Sequence, residues 1–351
     1  TYPYDEQTQS WTSTSSYPNT KLKPERTKSW EVGLDARILN DISLNLTYYR
    51  SNTYNQTFYA DLSLSSGYSN IPIQSGNIMN EGLEMSLGYN KQWKDFSFNT
   101  NYTLTWNKNR VKRLADGVYN YATGQPIQMP ELSPLTYGHT DARLILRVGG
   151  SMGDVYGQRL LKRDLNGYIL NEEGVGLAME NKETYLGSIL PKMNMGWSLG
   201  FGYKGVNLGM TFTGRFGGIV ISETQSVLDA AGVSKVSADV RDAGGVQINQ
   251  SKVSAQTYYQ TIQGTAAYYT YSATNVRLGE LSLSYTLPKK WFDNKVGMTV
   301  GLVGKNLWMI YCKAPFDPEL TTSAASNFYQ GFDAYMLPST RNFGFNVKFQ
   351  F

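Results

Sequence analysis

The sequence predicts an all-β fold: a transmembrane antiparallel β-barrel to which this chain contributes about eleven strands. Apolar and polar residues alternate over many segments, which is the period of a strand with two different faces. These segments run for about 9–11 residues, the length that crosses a membrane, whereas typical strands have about 5–6 residues. Short turns also alternate with long excursions, as in bacterial outer-membrane barrels, where the long loops lie outside.

The first half of the chain contains two clear hairpins. Residues 29–38 and 42–48 flank a turn at 39–41, and residues 83–90 pair with 96–107. In the first strand, the apolar side chains fall on one face and the others on the opposite face. The two sets are Trp30, Val32, Leu34, Ala36 and Ile38, against Glu31, Gly33, Asp35 and Arg37.

The second half repeats this pattern. Residues 193–203 and 206–213 flank a tight Lys204-Gly205 turn, and residues 342–351 give the cleanest alternation of the chain. The other predicted strands lie at 142–148, 155–161, 281–285 and 296–302.

The ends of the predicted strands carry aromatic residues, which is where interfacial girdles of membrane barrels lie. These residues are Trp30, Tyr48, Tyr89, Trp106, Tyr203 and Tyr285. The long excursions lie at 58–80, 108–140, 163–192 and 214–273. Within the last of them, residues 228–245 predict a short helix.

The composition agrees with a membrane barrel. Aromatic residues make up 13% and charged residues only 17% of the 351 residues, whereas soluble domains are about 25% charged. The net charge of +4 is spread along the chain without a dense basic run, so we expect no nucleic-acid partner. A single cysteine and a single histidine exclude an internal disulfide and a Cys- or His-rich metal site. Because no catalytic constellation or cofactor motif is found, the chain is not expected to be an enzyme.

The odd number of strands bears on the domain organisation. Both ends of such a barrel normally lie on one side of the membrane, which requires an even number. An open sheet would also leave unpaired backbone groups in lipid. We therefore expect residues 1–28 to be an extracellular loop segment and residues 29–351 to be the C-terminal part of a plugged barrel of about 22 strands. The plug and the other strands would lie upstream or in a separate fragment.

Several segments, in this order along the chain, resemble those of SusC/RagA transporters, which are TonB-dependent proteins of Bacteroidetes. The segment LKPERTKSWEVGLD at 22–35 resembles a family segment of the LKPEKTKSYEIGLD type, and GNIMNEGLE at 76–84 follows the family pattern G-x-I-x-N-x-G-x-E. The segment YSATNVRLGELSLSYTLP at 271–288 is similar to a third family stretch. Shorter matches are GKNL at 304–307, DPE at 317–319 and the ending at 337–351. Gly279 and Lys305 stand where the family more often has arginine.

This resemblance implies an active importer of glycans or oligopeptides in the outer membrane. SusC-like proteins are 22-stranded barrels with an N-terminal plug, and TonB supplies the energy through that N-terminal part. The implied partners are outer-membrane lipid, the plug and first barrel half, a SusD-like surface lipoprotein and the substrate. A passive porin and a surface-exposed binding or adhesion protein remain alternatives, and an outer-membrane enzyme is the least favoured reading.

Three groups of residues are candidates for these roles. Candidates to face substrate or a lid are Tyr119, Tyr121, Tyr258, Tyr259, Tyr268, Tyr269 and Tyr271, because exposed aromatic rings bind partners. Candidates to face the lumen are Glu31, Asp35, Arg37, Glu84, Asn99 and Asn101. The alternating end Phe345, Val347, Phe349 and Phe351 fits a barrel-assembly signal. Asp164-Leu165-Asn166-Gly167 predicts a tight turn rather than a calcium loop, because the terminal glutamate that such a loop needs is not at the required spacing.

Overall fold

The computed structural model describes residues 4–5, 10–11, 14–16, 23–61, 68–114, 131–172, 176–293, 295–320, 322 and 327–351. In chain order the strands are β1 Tyr4–Asp5, β2 Ser10–Trp11, β3 Thr14–Ser16, β4 Arg26–Ile38, β5 Ile42–Asp61, β6 Tyr68–Trp93, β7 Phe96–Arg113, β8 Glu131–Thr136, β9 Arg143–Arg147, β10 Asp154–Leu161, β11 Asn171–Glu172, β12 Gly176–Leu177, β13 Met179–Ser188, β14 Met193–Tyr203, β15 Val206–Phe216, β16 Ile219–Ser222, β17 Val246–Ile248, β18 Ser251–Val253, β19 Thr270–Ser272, β20 Asn275–Thr286, β21 Gly297–Cys312, β22 Phe332–Asp333 and β23 Asn342–Gln350. The helices are α1 Glu223–Ala230, α2 Lys235–Asp242 and α3 Ala255–Ile262, with 3-10 turns at Ala266–Tyr268, Lys289–Phe292 and Asn327–Gly331.

Nine long strands form one continuous antiparallel sheet, which we call the wall. Their order is β4-β5-β6-β7-β14-β15-β20-β21-β23, so the neighbours in the sheet are also neighbours among the long strands of the chain. Within the described residues the sheet does not close on itself, and β4 and β23 form its two edges. The all-β, membrane-barrel fold class is therefore confirmed.

Tight turns join the wall strands at one end. The β14–β15 turn consists of Lys204 and Gly205, with φ of 47° and 87°. Both angles lie in the left-handed region that a two-residue hairpin turn requires. The β4–β5 turn likewise contains Leu39 and Asn40 at φ of 52° and 61°. Short turns of outer-membrane barrels lie in the periplasm, so this is the end of the wall that we expect on that side.

The predicted arrangement of strands needs two corrections, one to the number of strands in the wall and one to the length of β5 and β6. The strands predicted at 142–148 and 155–161 exist as β9 and β10, but they join β8 and β13 in a separate four-stranded sheet. The wall therefore has nine of the eleven predicted strands. The excursion predicted at 58–80 is also largely strand, because β5 runs to Asp61 and β6 begins at Tyr68.

The two faces of the wall differ as the alternation predicts. One apolar row crosses it through Leu34, Leu46, Met85, Leu104 and Met195. Large apolar side chains on this face are exposed, including Val32 at 66% and Phe345 at 80%. An exposed apolar face of this extent requires an apolar environment, so we call it the outer face and the polar one the inner face.

The core of the molecule lies outside the wall, in a compact unit that we call the cap. It consists of the described residues of three segments between strands at the other end of the wall, which we call the first (131–192), second (217–274) and third (313–341) excursions of the cap. One buried cluster draws on all three: Tyr137, Ala142, Leu144, Val155, Ile189, Ile221, Ala266 and Phe332. A second joins the first two excursions through Leu161, Leu177, Ile248, Ala255, Tyr259, Ile262 and Tyr269. The excursions are thus folded against one another rather than extended as separate loops.

Helices α1, α2 and α3 all lie in the second excursion of the cap. Each begins with a serine whose side chain accepts a backbone N–H of the first turn: Ser222 from Gln225, Ser234 from Ser237 and Ser254 from Thr257. Such N-caps satisfy donors that a short helix would otherwise leave unpaired. The helix predicted within 228–245 is found as α2.

Candidate functional site

The cap packs against the inner face of the wall. Phe58, Ile78 and Val111 of the wall form one buried cluster with Leu132 and Leu146 of the cap. The β9–β10 turn also pairs with the edge of β7, since the Val111 N–H donates to the Gly150 carbonyl at 2.8 Å and the Gly149 N–H donates to the Val111 carbonyl at 2.8 Å. The cap therefore lies on the side of the wall towards which the polar side chains point, at the end of the wall opposite the tight turns.

The six lumen-facing candidates all lie on the inner face. Asp35 accepts a hydrogen bond from Asn45 at 2.9 Å, and Asn101 accepts one from Ser86 at 3.1 Å. Glu31, Arg37, Glu84 and Asn99 alternate with apolar positions on the same strands. Whether these side chains line a transport path stays a prediction.

The segment GNIMNEGLE forms a row along the inner face of β6. Phe58 covers Gly76, and Tyr49 covers Gly82 and donates a hydrogen bond to Asn107 at 3.1 Å. Between the two glycines, Ile78 is 2% exposed and Asn80 accepts a hydrogen bond from Asn109 at 2.9 Å. The two glycines of the motif therefore leave room for aromatic rings of β5 over the inner face of β6.

Replacing Gly82 by alanine should destabilise the wall. The new Cβ would lie 2.5 Å from the Trp106 carbonyl oxygen and 2.5 Å from the Tyr49 hydroxyl, and the backbone oxygen cannot move aside cheaply. We expect a loss of about 1–3 kcal/mol, seen as a lower melting temperature of the full-length protein in detergent. Gly279→Ala is the matched control, because its Cβ would meet nothing closer than 3.6 Å. Equal shifts for the two variants would contradict the packing explanation.

A charged network joins the wall to the third excursion of the cap. Arg277 of β20 donates two hydrogen bonds to Asp317, at 2.9 and 2.8 Å, and its guanidinium lies 3.4 Å from Glu319. Asn275 accepts from Arg277 at 3.2 Å and donates to Glu319 at 3.0 Å. The side chains of Arg277 and Asp317 are only 11% and 8% exposed. The sequence contains both partners, in NVRLGE and DPE, but gives no signal that they pair.

The ionisation of Asp317 reflects this pairing. Burial by itself would raise the pKa of Asp317, but the hydrogen bonds from Arg277 and from the Glu319 backbone amide outweigh it. The pKa consequently lies below its ordinary value of 3.8. Asp317 is thus held as a carboxylate by the arginine that it binds.

A cleft of about 370 Å³ lies beside this network, between the inner face and the cap. It is lined by Pro191, Asn194, Arg215, Glu319 and Gln330. Arg215 donates to the Ile189 carbonyl at 2.8 Å, while its Nε is buried without a hydrogen-bond partner in the described part of the chain. The cleft is therefore lined by a cation, whose buried Nε is unpaired in the described part of the chain, and by the carboxylate residue Glu319. Neither Arg215 nor this cleft was among the sequence candidates.

The tyrosine candidates need a correction. Tyr259 and Tyr269 are 7% and 2% exposed and belong to the cap core, and burial raises the pKa of both. Their rings therefore bury apolar area rather than face a ligand. Tyr258, Tyr268 and Tyr271 are partly exposed at the edge of the same cluster, and a ligand- or lid-facing role for them stays a prediction. Tyr119 and Tyr121 lie outside the described residues.

The other candidates have clear positions. Asp164 accepts the backbone N–H groups of Asn166 at 2.9 Å and Tyr168 at 2.8 Å, and Gly167 has a φ of 84°, so the predicted tight turn is confirmed. Phe345, Val347 and Phe349 lie on β23 at one edge of the wall, with Phe351 directly after it, exposed at 98%. Their role in assembly stays a prediction. Within the described residues, no cluster of metal-binding side chains occurs, and no helix is long and apolar enough to span a membrane.

An antiparallel wall with an apolar outer face, a polar inner face and a cap folded over the inner face defines a piece of a transmembrane β-barrel. The chain belongs to the TonB dependent receptor-like, beta-barrel family, whose model matches residues 2–307. This is a family of transporters rather than of enzymes. The resemblance seen in the sequence motifs is thereby confirmed.

Two curated relatives come from Formosa agariphila. Over 95% of this chain, the sequence is 26% identical to TonB-dependent receptor P3. Over 94% of the chain, it is 24% identical to TonB-dependent receptor P26. Among solved structures, the RagAB peptide importer in the open-open state matches with a TM-score of 0.65 and 19% identity over 95% of the chain, and its closed-closed state matches with a TM-score of 0.64 and 18% identity over 93%. These structures share the fold. The chain spans about a third (35%) of the length of each of these proteins.

Proposed function

We propose that this chain supplies C-terminal strands of an outer-membrane importer that takes up oligopeptides with energy relayed by TonB. The observation that carries the proposal is the cap, which packs against one end of the polar inner face and leaves a charged cleft beneath it. An apolar outer face places the wall in lipid. A cap folded across the inner face narrows the route through the barrel, which favours gated uptake over free diffusion through a porin.

The chemistry of the cleft favours a peptide as the substrate. Arg215 lines the cleft with a guanidinium whose buried Nε–H has no partner among the described residues, and Glu319 lines the same cleft with 38% of its side chain exposed. A peptide carries both a carboxylate and an ammonium group, which form charge-assisted hydrogen bonds with such residues. The similarity in fold to the RagAB peptide importer supports the same choice. A glycan is the alternative substrate, which the partly exposed Tyr258, Tyr268 and Tyr271 would suit.

The proposed importer needs partners beyond this chain. A plug and further strands would close the barrel, and TonB would act through the part of the protein that carries the plug. A SusD-like surface lipoprotein would lie above the cap, which is at the end of the wall opposite the tight turns. Together these parts make a SusCD-like complex, with the substrate entering between the lipoprotein and the cap.

The test is uptake by whole cells that carry the full-length protein and its partners. Labelled oligopeptides should accumulate, and a protonophore should stop the accumulation without preventing surface binding. Arg215→Met should raise the peptide concentration that gives half-maximal uptake by about tenfold, because a hydrogen bond to a charged group contributes about 1.5–3 kcal/mol. Arg241→Met is the control, since the Arg241 side chain is 63% exposed on the cap.

The possible outcomes separate the candidate functions. Uptake that persists after the protonophore is added would indicate a passive porin. Surface binding without any uptake would indicate an adhesion or binding protein. Protonophore-sensitive uptake of oligosaccharides but not of oligopeptides would support import and contradict the proposed substrate.

A further inference from the structure

The outer face of the wall is not apolar along its whole height. Above the aromatic residues Tyr48 and Trp106, from the level of Trp30 and on the side away from the tight turns, several outward positions of β4, β5 and β7 are cationic. These cations, which we call the basic rim, are Arg26, Lys28, Arg50, Lys108 and Arg110.

The strand register places the basic rim in one patch. The pairs Trp30–Arg50, Arg50–Glu81 and Glu81–Lys108 form one row across four neighbouring strands, directly above the row that contains Tyr48 and Trp106. The next outward row contains Lys28 and Arg110 at its two ends. Strands lie about 4.8 Å apart and residues two positions apart are separated by about 7 Å. The rim therefore spans about 15 Å along the surface.

Among the described residues, the charge of the basic rim is largely uncompensated on its own face. Glu81 is the one carboxylate in these rows, and it lies 3.7 Å from Lys108. The Lys28 ammonium lies 6.0 Å from the centre of the Tyr54 ring, which confirms that these side chains share the outer face. The rim thus holds an excess of four positive charges beside the apolar band.

The cations of the basic rim lie on β4, β5 and β7, at one side of the wall. One row lower, level with Trp106, the outward positions of β14 and β15 hold the apolar Met193 and Phe216. Arg215, the neighbouring cation, lies on the inner face. Interfacial position alone does not require cations, so their concentration on β4–β7 points to an anionic ligand at that place.

We propose that the basic rim binds the phosphate groups of a phosphorylated glycolipid in the outer leaflet. Its position just above the aromatic girdle is where lipid headgroups lie, and arginine and lysine are the usual ligands of phosphate. The acyl chains of such a lipid would lie along the apolar outer face immediately below. This inference rests on the proposed membrane location but not on the proposed import. A test of lipid binding is therefore independent of the substrate.

The test measures binding of lipid A to the full-length protein in detergent micelles, by native mass spectrometry. The probes are diphosphorylated lipid A, the same lipid with its phosphates removed, and inorganic phosphate. The test variant combines Lys28→Gln, Arg50→Gln and Arg110→Gln. The control removes the same number of exposed cations from the cap, through Lys162→Gln, Lys182→Gln and Arg241→Gln. A second variant, with Lys28→Arg, Arg50→Lys and Arg110→Lys, keeps the charge and guards against loss of folding.

We expect the rim variant to bind phosphorylated lipid A at least tenfold more weakly than the wild type, the control variant and the charge-preserving variant. The dephosphorylated lipid should bind the wild type as weakly as phosphorylated lipid A binds the rim variant. Equal binding of the two lipids, or unchanged binding by the rim variant, would overturn the proposal. Tight binding of inorganic phosphate without preference for the lipid would also overturn it, as would a change of oligomeric state with unchanged lipid binding, which would assign the rim to a protein interface.

Discussion

Asp317→Ala is expected to release the third excursion of the cap from the wall. It removes the carboxylate that holds the nearly buried Arg277 by two hydrogen bonds, and leaves that guanidinium with Glu319 at 3.4 Å and Asn275. Breaking a buried ion pair on one side costs about 3–5 kcal/mol, because the remaining charge loses its compensation. The effect should be seen as a lower melting temperature of the full-length protein and as faster hydrogen exchange of residues 313–320.

A second ion pair that involves β20 provides the control. Lys305 of β21 lies 3.7 Å from Glu280 of β20, with the side chains 62% and 44% exposed. Exposed pairs contribute about 1 kcal/mol or less, so Glu280→Gln should leave both measurements close to those of the wild type. Equal effects of the two substitutions would show that burial of Arg277 and Asp317 is not what makes their pair important.

The pair of Arg277 and Asp317 also predicts how the stability of the protein depends on pH. Because the pKa of Asp317 is lower in the folded protein than its ordinary 3.8, its contribution to stability is complete above that value. The contribution is lost as the pH falls through the lower, folded pKa. The difference in melting temperature between the wild type and Asp317→Asn should therefore be constant above about pH 5 and shrink on acidification below 3.8. A difference that grows on acidification would contradict this assignment.

The wall was predictable from the sequence because its signal is local. Leu34 is apolar and Asp35 is charged because successive side chains of a strand point to opposite faces of the sheet. The two-residue period shows this without knowledge of any partner strand. The same locality explains the miscounted strands. The β9 and β10 sequences predict strands but do not say which sheet those strands join. One signal was available, since Leu144, Ile145 and Leu146 form an unbroken apolar run and are all buried, as expected of a strand covered on both faces.

The candidate site was less predictable because it depends on non-local contacts. Arg277 and Asp317 are separated by 40 positions, and Arg215 and Glu319 line one cleft only because the cap folds over the inner face. The tyrosines of the second excursion show the converse. Their density predicts a role for aromatic rings. The sequence does not show, however, that Tyr259 and Tyr269 are buried in the core of the cap rather than exposed to solvent. Exposure is a property of the folded cap and not of the segment.

Phe332→Ala is expected to unfold the cap while the wall stays folded. Phe332 is 2% exposed, and its ring centre lies 5.1 Å from that of the fully buried Tyr137. It also lies on β22, which pairs with β16, so it joins all three excursions in one cluster. Removing a buried phenylalanine side chain costs about 3–5 kcal/mol, through lost apolar burial and the cavity that remains.

The expected result is faster hydrogen exchange and easier proteolysis within 131–192, 217–274 and 313–341, with unchanged protection of the wall strands. The wall should resist because its stability comes from continuous backbone ladders in lipid, where unpaired groups cost several kcal/mol, and these ladders do not involve Phe332. Leu165→Ala is the control, since Leu165 is fully exposed at a turn of the cap and its loss should change stability by less than about 0.5 kcal/mol. Equal loss of protection in the wall and in the cap would instead mean that the two form one cooperative unit. In that case, opening of the cap could not occur without opening of the barrel, and a gate formed by the cap alone would be ruled out.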